Sequence, residues 1–598
     1  RIDNDRGEFQ TYSYNAMNEV TAEATSDAAS NVTMQASKVY DEMGRLLQSV
    51  GGGGQTWQYA YDLDSNLTKV TDARGKETGY LIDGHSRVSR ETDPESAQET
   101  YQYEPFTDDL KQLRDPRNLN TDRIVDGFGN TIQETSPDRG VTTYWYDEAD
   151  RMTKVTDADG LTTDFTYDAA GRMLSAVSSG SGVATQTTTY GHDSTAGGNF
   201  GIGRLTSVTD PSGSSAFTYD AQGRLVGVSQ TIGSQTYALA YSYDANGAVT
   251  SITYPSGHVV NYARAADGLV TGVTAQASGT GAASNIATGI AWLPFGGPLR
   301  AMSYGNGLTL TRDYDLNHWL AGIDLAGTSG ALLDIAYTRD ANGNVTGVTD
   351  AATANRNANY TYSDAGRLAT ASGVWGADSY SFDAAGNRTS ATRVVGGIST
   401  SDVATISATS NRQGEVRDGA GTLGRSFTHK AGGDLVGQTI AASSDQYAYS
   451  YDARGHLAQI SLNGAGLVTQ AYDHAGRRVL RSQGGQGVAY IYDEAGHLLA
   501  EHDGASGAVI REYIWLEGMV IAMVEGAPAA PTYRFVHTGH LAEPLLVTDG
   551  SGAVASSITR DPWGNAILLA GTAAIRLGYP GQWHDGASGL YQNWHRDY

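Results

Sequence analysis

The 598-residue chain contains no cysteine, which excludes disulfides, cysteine-ligated zinc and a thiol nucleophile. Basic residues are few, because 40 Lys and Arg stand against 65 Asp and Glu and give a net charge of −25. Phosphate backbones and anionic lipids attract clustered Lys and Arg, so we expect no nucleic-acid partner. No apolar run approaches the ~18 residues of a membrane span, and the opening RIDNDRGEFQ lacks the apolar core of a signal peptide. The sequence therefore predicts no membrane span in this segment.

Glycine and tyrosine are abundant, with 75 and 35 residues against only 10 phenylalanines. Ten Tyr-Asp dipeptides occur, and adjacent copies are 20, 21 or 24 residues apart. Typical copies are YDEMGRLL from Tyr40, YDAAGRML from Tyr167 and YDEAGHLL from Tyr492. A period in this range indicates a repeat architecture. Because a catalytic motif is needed only once, the repetition points to a structural role.

Each copy has the sequence of a β-turn. Asp at the first position and Gly at the fourth favour a type I turn, because the Asp side chain accepts hydrogen bonds from turn amides and Gly tolerates the exit conformation. A second series of such turns precedes the first by about half a period, as in DADG at 157–160 before DAAG at 168–171. The residues for which we predict this turn role are Asp41, Gly44, Asp72, Gly75, Asp157, Gly160, Asp168, Gly171, Asp220, Gly223, Asp452, Gly455, Asp473, Gly476, Asp493 and Gly496.

The residues between the two turns predict strands. LTTDFTY (161–167) alternates, with Phe165 and Tyr167 on one face, and would run about 23 Å as a strand. In GRLTSVTD (203–210), Leu205 and Val208 are three residues apart, so either a β-bulge intervenes or both faces are partly apolar. Turn signals at this spacing indicate an all-β fold. Hairpins of equal length that join edge to edge form one sheet, and a right-twisted sheet of this size should curl and enclose a space.

The sequence assembles no active site. DLDSN at 62–66 has the alternating oxygens of a calcium loop, but Leu67 replaces the required Gly and no Glu closes the loop. HTGH, with His537 and His540, has His584 and His595 nearby in sequence, yet without Cys or a helical HExxH motif a metal site would need a coincidence of folding. We therefore expect no catalytic residue, no metal and no cofactor, and the role of the four histidines stays open.

The Y-D-x-x-G-R-L units resemble the YD repeats of RHS (rearrangement hotspot) proteins, which are bacterial polymorphic toxins, and of the C component of insecticidal toxin complexes. A second signal, similar to the RHS-associated core, follows in the right order in YRFVHTGHLAEPLLVTDGSG (533–552), DPWGN (561–565) and YPGQWHDGASGLYQNWHRDY (579–598). The residues that match the core pattern, and that we expect to shape it, are Asp561, Pro562, Gly564, Gly581, Gln582, Asp585, Gly589 and Leu590. The match departs at Gly539, Ala542 and Glu543, where the family has Asp, Gly and Thr.

The resemblance implies a spiralling, closed hollow shell. Residues 1–530 would be the YD-repeat shell, beginning within a repeat, and residues 531–598 the core that plugs one end. The implied function is non-enzymatic, since the shell encloses and protects its own C-terminal toxin domain until delivery, and the family's self-cleavage site and toxin lie beyond Tyr598. A secretion apparatus and an immunity protein are the further partners that the resemblance implies, and the protein is expected to be secreted or exported.

Two other functions are compatible with the repeats. A cell-surface adhesin would stack exposed aromatic rings on glycans, whereas a β-helical polysaccharide lyase would be an enzyme. The adhesin and the shell differ in the direction of the aromatic ladders, so Tyr side chains protected from nitration would favour the shell.

Overall fold

The computed structural model describes residues 1–277, 281–572, 575–579, 581–593 and 596–597. The described part of the chain is almost entirely β. Strands β1 to β51 belong to one antiparallel sheet, and strands β52 to β54 form a second, three-stranded sheet. The prediction of an all-β fold of repeated hairpins is confirmed.

The strands of the first third of the chain are β1 (Ile2–Asp3), β2 (Phe9–Tyr14), β3 (Val20–Ser26), β4 (Val32–Tyr40), β5 (Leu46–Gly51), β6 (Thr56–Tyr61), β7 (Leu67–Thr71), β8 (Glu77–Ile82), β9 (Val88–Thr92), β10 (Gln98–Tyr103), β11 (Leu110–Arg114), β12 (Asn120–Val125), β13 (Thr131–Ser136), β14 (Gly140–Tyr146), β15 (Met152–Thr156), β16 (Thr162–Tyr167), β17 (Met173–Gly180) and β18 (Val183–His192). Those of the middle third are β19 (Leu205–Asp210), β20 (Gly213–Tyr219), β21 (Leu225–Ile232), β22 (Gln235–Tyr243), β23 (Val249–Thr253), β24 (Val259–Arg264), β25 (Val270–Gln276), β26 (Ala283–Trp292), β27 (Leu299–Tyr304), β28 (Thr309–Tyr314), β29 (Leu320–Gly327), β30 (Gly330–Arg339), β31 (Val345–Asp350), β32 (Ala358–Tyr362), β33 (Leu368–Gly373), β34 (Gly376–Phe382) and β35 (Arg388–Val395).

Those of the last third are β36 (Ile398–Ile406), β37 (Gln413–Asp418), β38 (Leu423–His429), β39 (Leu435–Ile440), β40 (Asp445–Tyr451), β41 (Leu457–Leu462), β42 (Ala465–Tyr472), β43 (Arg478–Gln483), β44 (Gln486–Tyr492), β45 (Leu498–Asp503), β46 (Val509–Leu516), β47 (Met519–Ala527), β48 (Ala530–Thr538), β49 (Pro544–Thr548), β50 (Val554–Arg560), β51 (Ala566–Gly571), β52 (Gln582–His584), β53 (Tyr591–Asn593) and β54 (Arg596–Asp597). The helical segments within the described residues are single 3-10 turns at Ala196–Gly198, Pro294–Gly296 and Ala354–Arg356, and none of them could span a membrane.

The chain divides into two compact units. Unit 1 comprises Arg1–Arg123, Gly289–Ser303 and Gly307–Thr422, and unit 2 comprises Ile124–Thr288, Tyr304–Asn306 and Leu423–Tyr598. Each unit therefore combines an early stretch of the repeats with a late one. The predicted division at residue 530 stays a prediction.

A β-bulge follows each YD turn. In the β4–β5 hairpin, Tyr40 pairs with Leu46 but Val39 pairs with Gln48, so Leu47 is an extra residue. The same shift appears where Gly191 pairs with Ser207 and His192 with Leu205. Of the two alternatives for the GRLTSVTD stretch, the structure shows the bulge.

Buried apolar side chains are unevenly distributed. Along residues 1–207, all of which are described, no apolar side chain is buried. The C-terminal part of unit 2 has a large core, in which Trp583 from the second sheet packs against strands β44 to β50. Its members are Tyr490, Leu498, Tyr513, Val520, Met523, Val536, Val547, Ile558, Ile575, Leu577 and Trp583. The second sheet thus covers one face of these strands.

Candidate functional site

The YD turn is held by its first residue. The Asp41 Oδ1 atom accepts hydrogen bonds from the amides of Met43 and Arg45, both at 2.9 Å, and the Gly44 amide donates to the Asp41 carbonyl at 3.1 Å. The Arg45 Nε atom donates to Asp41 Oδ2 at 2.7 Å. These bonds lower the pKa of Asp41, the Arg45 amide contributing most. Each turn therefore satisfies its own amides and carboxylate locally.

The other sequence-predicted Asp and Gly residues occupy the same two positions. In every one of these turns the Gly amide donates to the Asp carbonyl, at 2.8 to 3.1 Å, and the Gly φ lies between 76° and 84°, where a side chain would be strained. The pairs are Asp72 with Gly75, Asp157 with Gly160, Asp168 with Gly171, Asp220 with Gly223, Asp452 with Gly455, Asp473 with Gly476 and Asp493 with Gly496.

The tyrosine ties each hairpin to the preceding one. The Tyr61 hydroxyl donates to the Leu46 carbonyl at 2.9 Å, beside the bulge of the preceding hairpin. The Arg45 guanidinium lies 4.9 Å from the centre of the Tyr61 ring and donates to the Asp62 carbonyl at 2.9 Å. The same Tyr hydroxyl bond, at 2.6 to 3.0 Å, joins Tyr103 to Val88, Tyr146 to Thr131, Tyr167 to Met152, Tyr219 to Leu205, Tyr243 to Leu225, Tyr314 to Leu299, Tyr362 to Val345, Tyr451 to Leu435, Tyr472 to Leu457 and Tyr492 to Arg478. We call this bond the tyrosine lock.

The sequence analysis did not anticipate the tyrosine lock, although a signal for it was present. A ladder that needed only stacked rings would accept phenylalanine, yet the chain has 35 Tyr and 10 Phe. At equivalent positions the Trp515 Nε1 atom donates to the Leu498 carbonyl at 2.9 Å and the Arg264 Nε atom donates to the Val249 carbonyl at 3.1 Å. The position therefore favours a side chain that carries a donor, although Phe382 shows that a ring without one is accepted.

Within each unit, stretches that are 232 to 296 residues apart in the chain contact each other, and we call these seam contacts. In unit 1 they join turn to turn and are polar. The Arg74 guanidinium donates to the carbonyls of Ser363 and Asp364 at 3.0 and 2.9 Å, and Arg367 pairs with Glu95 at 2.9 Å. Further seam contacts of unit 1 join Arg117 to Ser407 and Ser410, Gly52 to Asn317, and Phe295 to Glu8.

The seam contacts around strand β46 of unit 2 are buried. The Tyr254 hydroxyl donates to the Tyr513 carbonyl at 2.8 Å. Next to it, His258 Nε2 lies 2.9 Å from the Tyr533 hydroxyl and His258 Nδ1 lies 3.6 Å from Glu512 Oε2, with both side chains 2% exposed. Burial lowers the pKa of His258 to about 4 and raises the pKa of Glu512 to about 7. Each of the two groups is therefore stabilised in its neutral form.

The first group of predicted core residues forms one more YD-type turn. The Asp561 carboxylate accepts hydrogen bonds from the amides of Trp563 and Asn565, both at 3.0 Å. Pro562 occupies the second turn position, and the Gly564 amide donates to the Asp561 carbonyl at 3.0 Å. DPWGN therefore has the same local structure as the repeats that precede it.

The second group connects the last hairpin to the large sheet. Both carboxylate oxygens of Asp585 accept hydrogen bonds from Arg481 on strand β43, at 2.6 Å, and both side chains are nearly buried. Burial acts to raise the pKa of Asp585, but the hydrogen bonds and charge of Arg481 hold it below its usual range. Gly589 closes the turn by donating to the Asp585 carbonyl at 2.8 Å, and Leu590 packs against the cluster around Tyr449.

Gly581 and Gln582 lie in the turn that leads into strand β52. The Gln582 amide donates to the Tyr579 carbonyl at 2.8 Å, and Gly581 has a φ of 79°. The structure thus brings Gly581, Gln582, Asp585, Gly589 and Leu590 together around the second sheet, whereas Asp561, Pro562 and Gly564 lie in a turn of the large sheet.

The histidines do not converge. His537 is fully buried, 2.9 Å from the Thr548 hydroxyl, and burial lowers its pKa to about 3. His540 lies 3.8 Å from Glu543, and the His584 ring packs on Tyr591 with centroids 4.7 Å apart. His595 lies outside the described residues. No group of three or more His, Asp or Glu side chains suited to a metal ion occurs in the part of the chain that the structure describes.

Two family models match the chain. The teneurin YD-shell model matches residues 300–598, and the RHS repeat model matches residues 40–77, 125–162, 146–185 and 201–235. The first match covers the late strands and the second sheet, and the second covers hairpins nearer the N-terminus.

Solved structures of Tc toxins have the same fold. The chain is 18% identical to TcdB2-TccC3, with a TM-score of 0.79 over 99% of this chain and 37% of that one. It is 17% identical to a chain of the Photorhabdus luminescens Tc holotoxin pore, with a TM-score of 0.78 over 99% of this chain and 36% of that one. TcdB2-TccC3 without its hypervariable C-terminal region matches similarly, with 17% identity and a TM-score of 0.77. The chain therefore spans little more than a third of the solved chains that it matches.

Curated relatives match a smaller part. The tRNA3(Ser)-specific nuclease WapA of Bacillus spizizenii is 25% identical over 219 residues, which are 36% of this chain and 9% of that protein. The tRNA nuclease WapA of Bacillus subtilis is 23% identical over 218 residues, again 36% of this chain and 9% of that protein. Since the teneurin YD-shell model matches half of the chain and RHS repeats match upstream of it, the chain belongs to the teneurin YD-shell family of RHS, or YD-repeat, proteins.

Proposed function

We propose that this chain is the wall of a shell that encloses the toxin domain of a longer protein and protects it until delivery. The observation that carries the proposal is the near-constant separation of the seam contacts, 232 to 296 residues in both units. We propose that a ribbon whose contacts recur at such separations along the chain is coiled. Between the turns of Arg74 and Ser363 lie the strands β8 to β32, so one turn of the proposed coil would hold about 25 strands.

A turn of this size would leave a space inside. Closed barrels of 16 to 18 strands already hold an aqueous channel, so a coil with about 25 strands per turn would be wide enough for polypeptide. The protection would be steric, because the guest would lie behind a hydrogen-bonded sheet whose neighbouring hairpins are tied by tyrosine locks. We propose that the second sheet, fixed by Asp585 and Arg481, belongs to a core of residues 531–598 that plugs one end.

The shell is favoured over the adhesin by the state of the tyrosines. The hydroxyls that form tyrosine locks donate to carbonyls of the preceding hairpin, as at Tyr61, so they are not free to bind a sugar. We propose no catalytic role for this segment, since it consists of repeated structural turns. The nuclease activity in the names of the WapA relatives is theirs, and the match to them covers 9% of those proteins. We also propose that the protein is exported, and that secretion and immunity proteins recognise the full-length toxin.

Protection of a guest can be measured directly. An unfolded, protease-sensitive reporter appended after the last residue of the chain should be cleaved at least about tenfold more slowly than the same reporter added as a separate peptide, because cleavage would need a rare opening of the wall. Electron microscopy of the fusion should show density inside a closed wall. Cleavage of the fused reporter as fast as the free peptide, or a wall without a chamber, would contradict the proposal.

A further inference from the structure

A groove in unit 2 combines aromatic rings with carboxylates, and neither the repeat structure nor the proposed shell requires this combination. It has a volume of about 420 Å³ and lies between strands β22 to β25 and the YD turn that begins at Asp493. Aromatic rings form its walls and carboxylates lie along it. The residues used below are Tyr241, Tyr262, Trp515, Asp493, Glu494 and Glu517.

The two carboxylates of the turn differ. Asp493 Oδ2 lies 2.9 Å from His497 Nδ1, and the His497 ring stacks on Trp515 with centroids 4.7 Å apart. Glu494 is exposed and has no hydrogen bond or ion pair within the described residues, although the charge of Arg477 reaches it. Glu494 is therefore a carboxylate that is open to a ligand.

The other polar groups of the groove differ in whether they are already bonded. Arg264 donates to the carbonyls of Val249 and Gly268 at 3.1 and 2.7 Å, and the Tyr262 hydroxyl donates to the Trp515 carbonyl at 3.2 Å. The Tyr241 hydroxyl has no hydrogen-bond partner, but it is buried, so a ligand in the groove does not reach it. Glu517 also lines the groove and is exposed. A ligand that donates hydrogen bonds would therefore find two exposed carboxylates, Glu494 and Glu517.

We propose that this groove binds an organic cation, an ammonium or guanidinium group. Ring faces attract such cations, most strongly when water is excluded, and an adjacent carboxylate adds a charge-assisted hydrogen bond. A bare metal ion fits less well, because Asp493 is already bound by His497 and no group of three or more His, Asp or Glu side chains suited to a metal ion occurs in the described part of the chain. The cation can come from a Lys or Arg side chain of a polypeptide or from a free amine. The proposal does not depend on the shell function.

Binding can be tested with the peptide Ac-Gly-Arg-Gly-amide, its citrulline counterpart, which has no charge, and agmatine as a free guanidinium compound. Isothermal titration on the whole chain should show saturable binding of the arginine peptide, and the citrulline peptide should bind at least about tenfold more weakly. Saturable binding of agmatine as well assigns the site to organic cations in general, whereas binding of the peptide alone assigns it to a polypeptide side chain. Either result supports the site.

Variants locate the binding. Glu494→Gln should weaken binding of the arginine peptide about threefold to fivefold, because Glu494 is exposed and Glu517 remains. The matched control is Glu42→Gln, because Glu42 has the same position in the turn Asp41–Gly44, and it should leave binding unchanged. Unchanged circular dichroism and melting of Glu494→Gln would show that its fold is intact. The proposal would be overturned if binding of the arginine peptide did not saturate, or if Glu494→Gln bound it with the affinity of the wild type. It would also be overturned if Glu42→Gln lost as much affinity as Glu494→Gln, because the attraction would then come from the net charge of the chain.

Discussion

The first 123 residues of unit 1 and the strands of unit 2 from Tyr449 onward are built from the same hairpin, but they differ in what lies beneath it. The early stretch has no buried apolar side chain, whereas the late strands carry fully buried residues such as Tyr490, Tyr513 and Met523. The YD turn and the tyrosine lock have the same geometry in both stretches. The repeat residues alone therefore specify the hairpin, whereas the buried core determines the local stability of the hairpin.

The seam contacts differ in the same way. Those of the early stretch are arginine contacts with carbonyls and with partly exposed carboxylates, as at Arg74 and Arg367. Those around strand β46 are buried hydrogen bonds of Tyr254 and His258. Since exposed ion pairs contribute little and are screened by salt, we expect the seam of unit 1 to open before that of unit 2.

The largest effect is expected at the pair between Arg481 and Asp585 in unit 2. Asp585→Ala leaves a buried guanidinium without its partner, which should cost about 3–5 kcal/mol of local stability. Hydrogen exchange of the amides of strands β43 and β52 measures this loss peptide by peptide. The control is the double variant Arg481→Met/Asp585→Leu, which buries no charge and should recover most of the loss. A cost below about 1 kcal/mol for Asp585→Ala would remove the distinction between the buried and exposed contacts.

The next effect is a pH dependence that appears only when His258 and Glu512 are separated. Between about pH 4.5 and 6.5, the folded wild type has a neutral His258 and a protonated Glu512, so the pair binds one proton. In the unfolded chain His258 is protonated and Glu512 is ionised, so the pair again binds one proton. Because the numbers of bound protons are equal, the stability of this seam should be nearly flat across that range.

In each single variant, stability should depend on pH through the one group that remains. In His258→Gln only Glu512 titrates, and its pKa is raised from 4.5 to about 7, so its stabilising contribution is complete at low pH and is lost as the pH rises through 7. In Glu512→Gln only His258 titrates, and its pKa is lowered from 6.5 to about 4, so its contribution is complete at neutral pH and is lost as the pH falls. Shifts of this size correspond to up to about 3 kcal/mol.

Urea midpoints of hydrogen-exchange protection in strand β46, at about pH 5 and about pH 7.5, measure both slopes. The slopes should have opposite signs in the two variants. The matched control is Glu95→Gln in unit 1, where the carboxylate is partly exposed, and it should leave the protection of β46 unchanged at both pH values. Slopes of equal sign, or a steep slope in the wild type, would show that His258 and Glu512 are not both neutral in the folded protein.

A smaller effect is expected from removing one hydroxyl of the tyrosine lock. Tyr472→Phe in unit 2 leaves the Leu457 carbonyl unpaired in a buried place and should cost about 1–2 kcal/mol. Tyr61→Phe in unit 1 removes the equivalent bond to Leu46, but both residues are only partly buried, so about 0.5 kcal/mol is expected. Hydrogen exchange of the two hairpins gives both values, and equal costs would mean that burial does not modulate the lock.

The period and the turn residues could be predicted from sequence because both are local. Asp41 and Gly44 lie within one four-residue turn, and the Tyr-Asp spacing of 21 residues is the length of two strands with their two turns. The bulge at Thr206 in GRLTSVTD was left open, since either a bulge or two partly apolar faces would fit the pattern. The donor role of Tyr61 was missed because its acceptor is the carbonyl of Leu46, and a carbonyl leaves no trace in sequence.

The seam contacts and the last hairpin could not be predicted. Arg74 and Ser363 are 289 residues apart, and nothing in either turn specifies the other, because the acceptor is again a backbone carbonyl. Asp585 was identified through the family resemblance, but its partner Arg481 lies on a repeat strand 104 residues earlier and looks like any other arginine there. The role of His537 in HTGH was left open, because its burial beside Thr548 is a tertiary property.

The smallest effect should come from the exposed seam of unit 1, where Arg367 pairs with Glu95 at 2.9 Å with side chains 22% and 32% exposed. Glu95→Gln should lower the local stability by about 0.2–1 kcal/mol, and the loss should shrink as salt is added, because salt already screens the wild-type pair. Hydrogen exchange of residues 93–103 at low and high salt measures it, with Asp585→Ala as the comparison whose cost should hardly depend on salt. If the cost of Glu95→Gln exceeded about 2 kcal/mol and did not respond to salt, the early seam would be as firmly held as the late one, and the order of opening inferred from burial would be wrong.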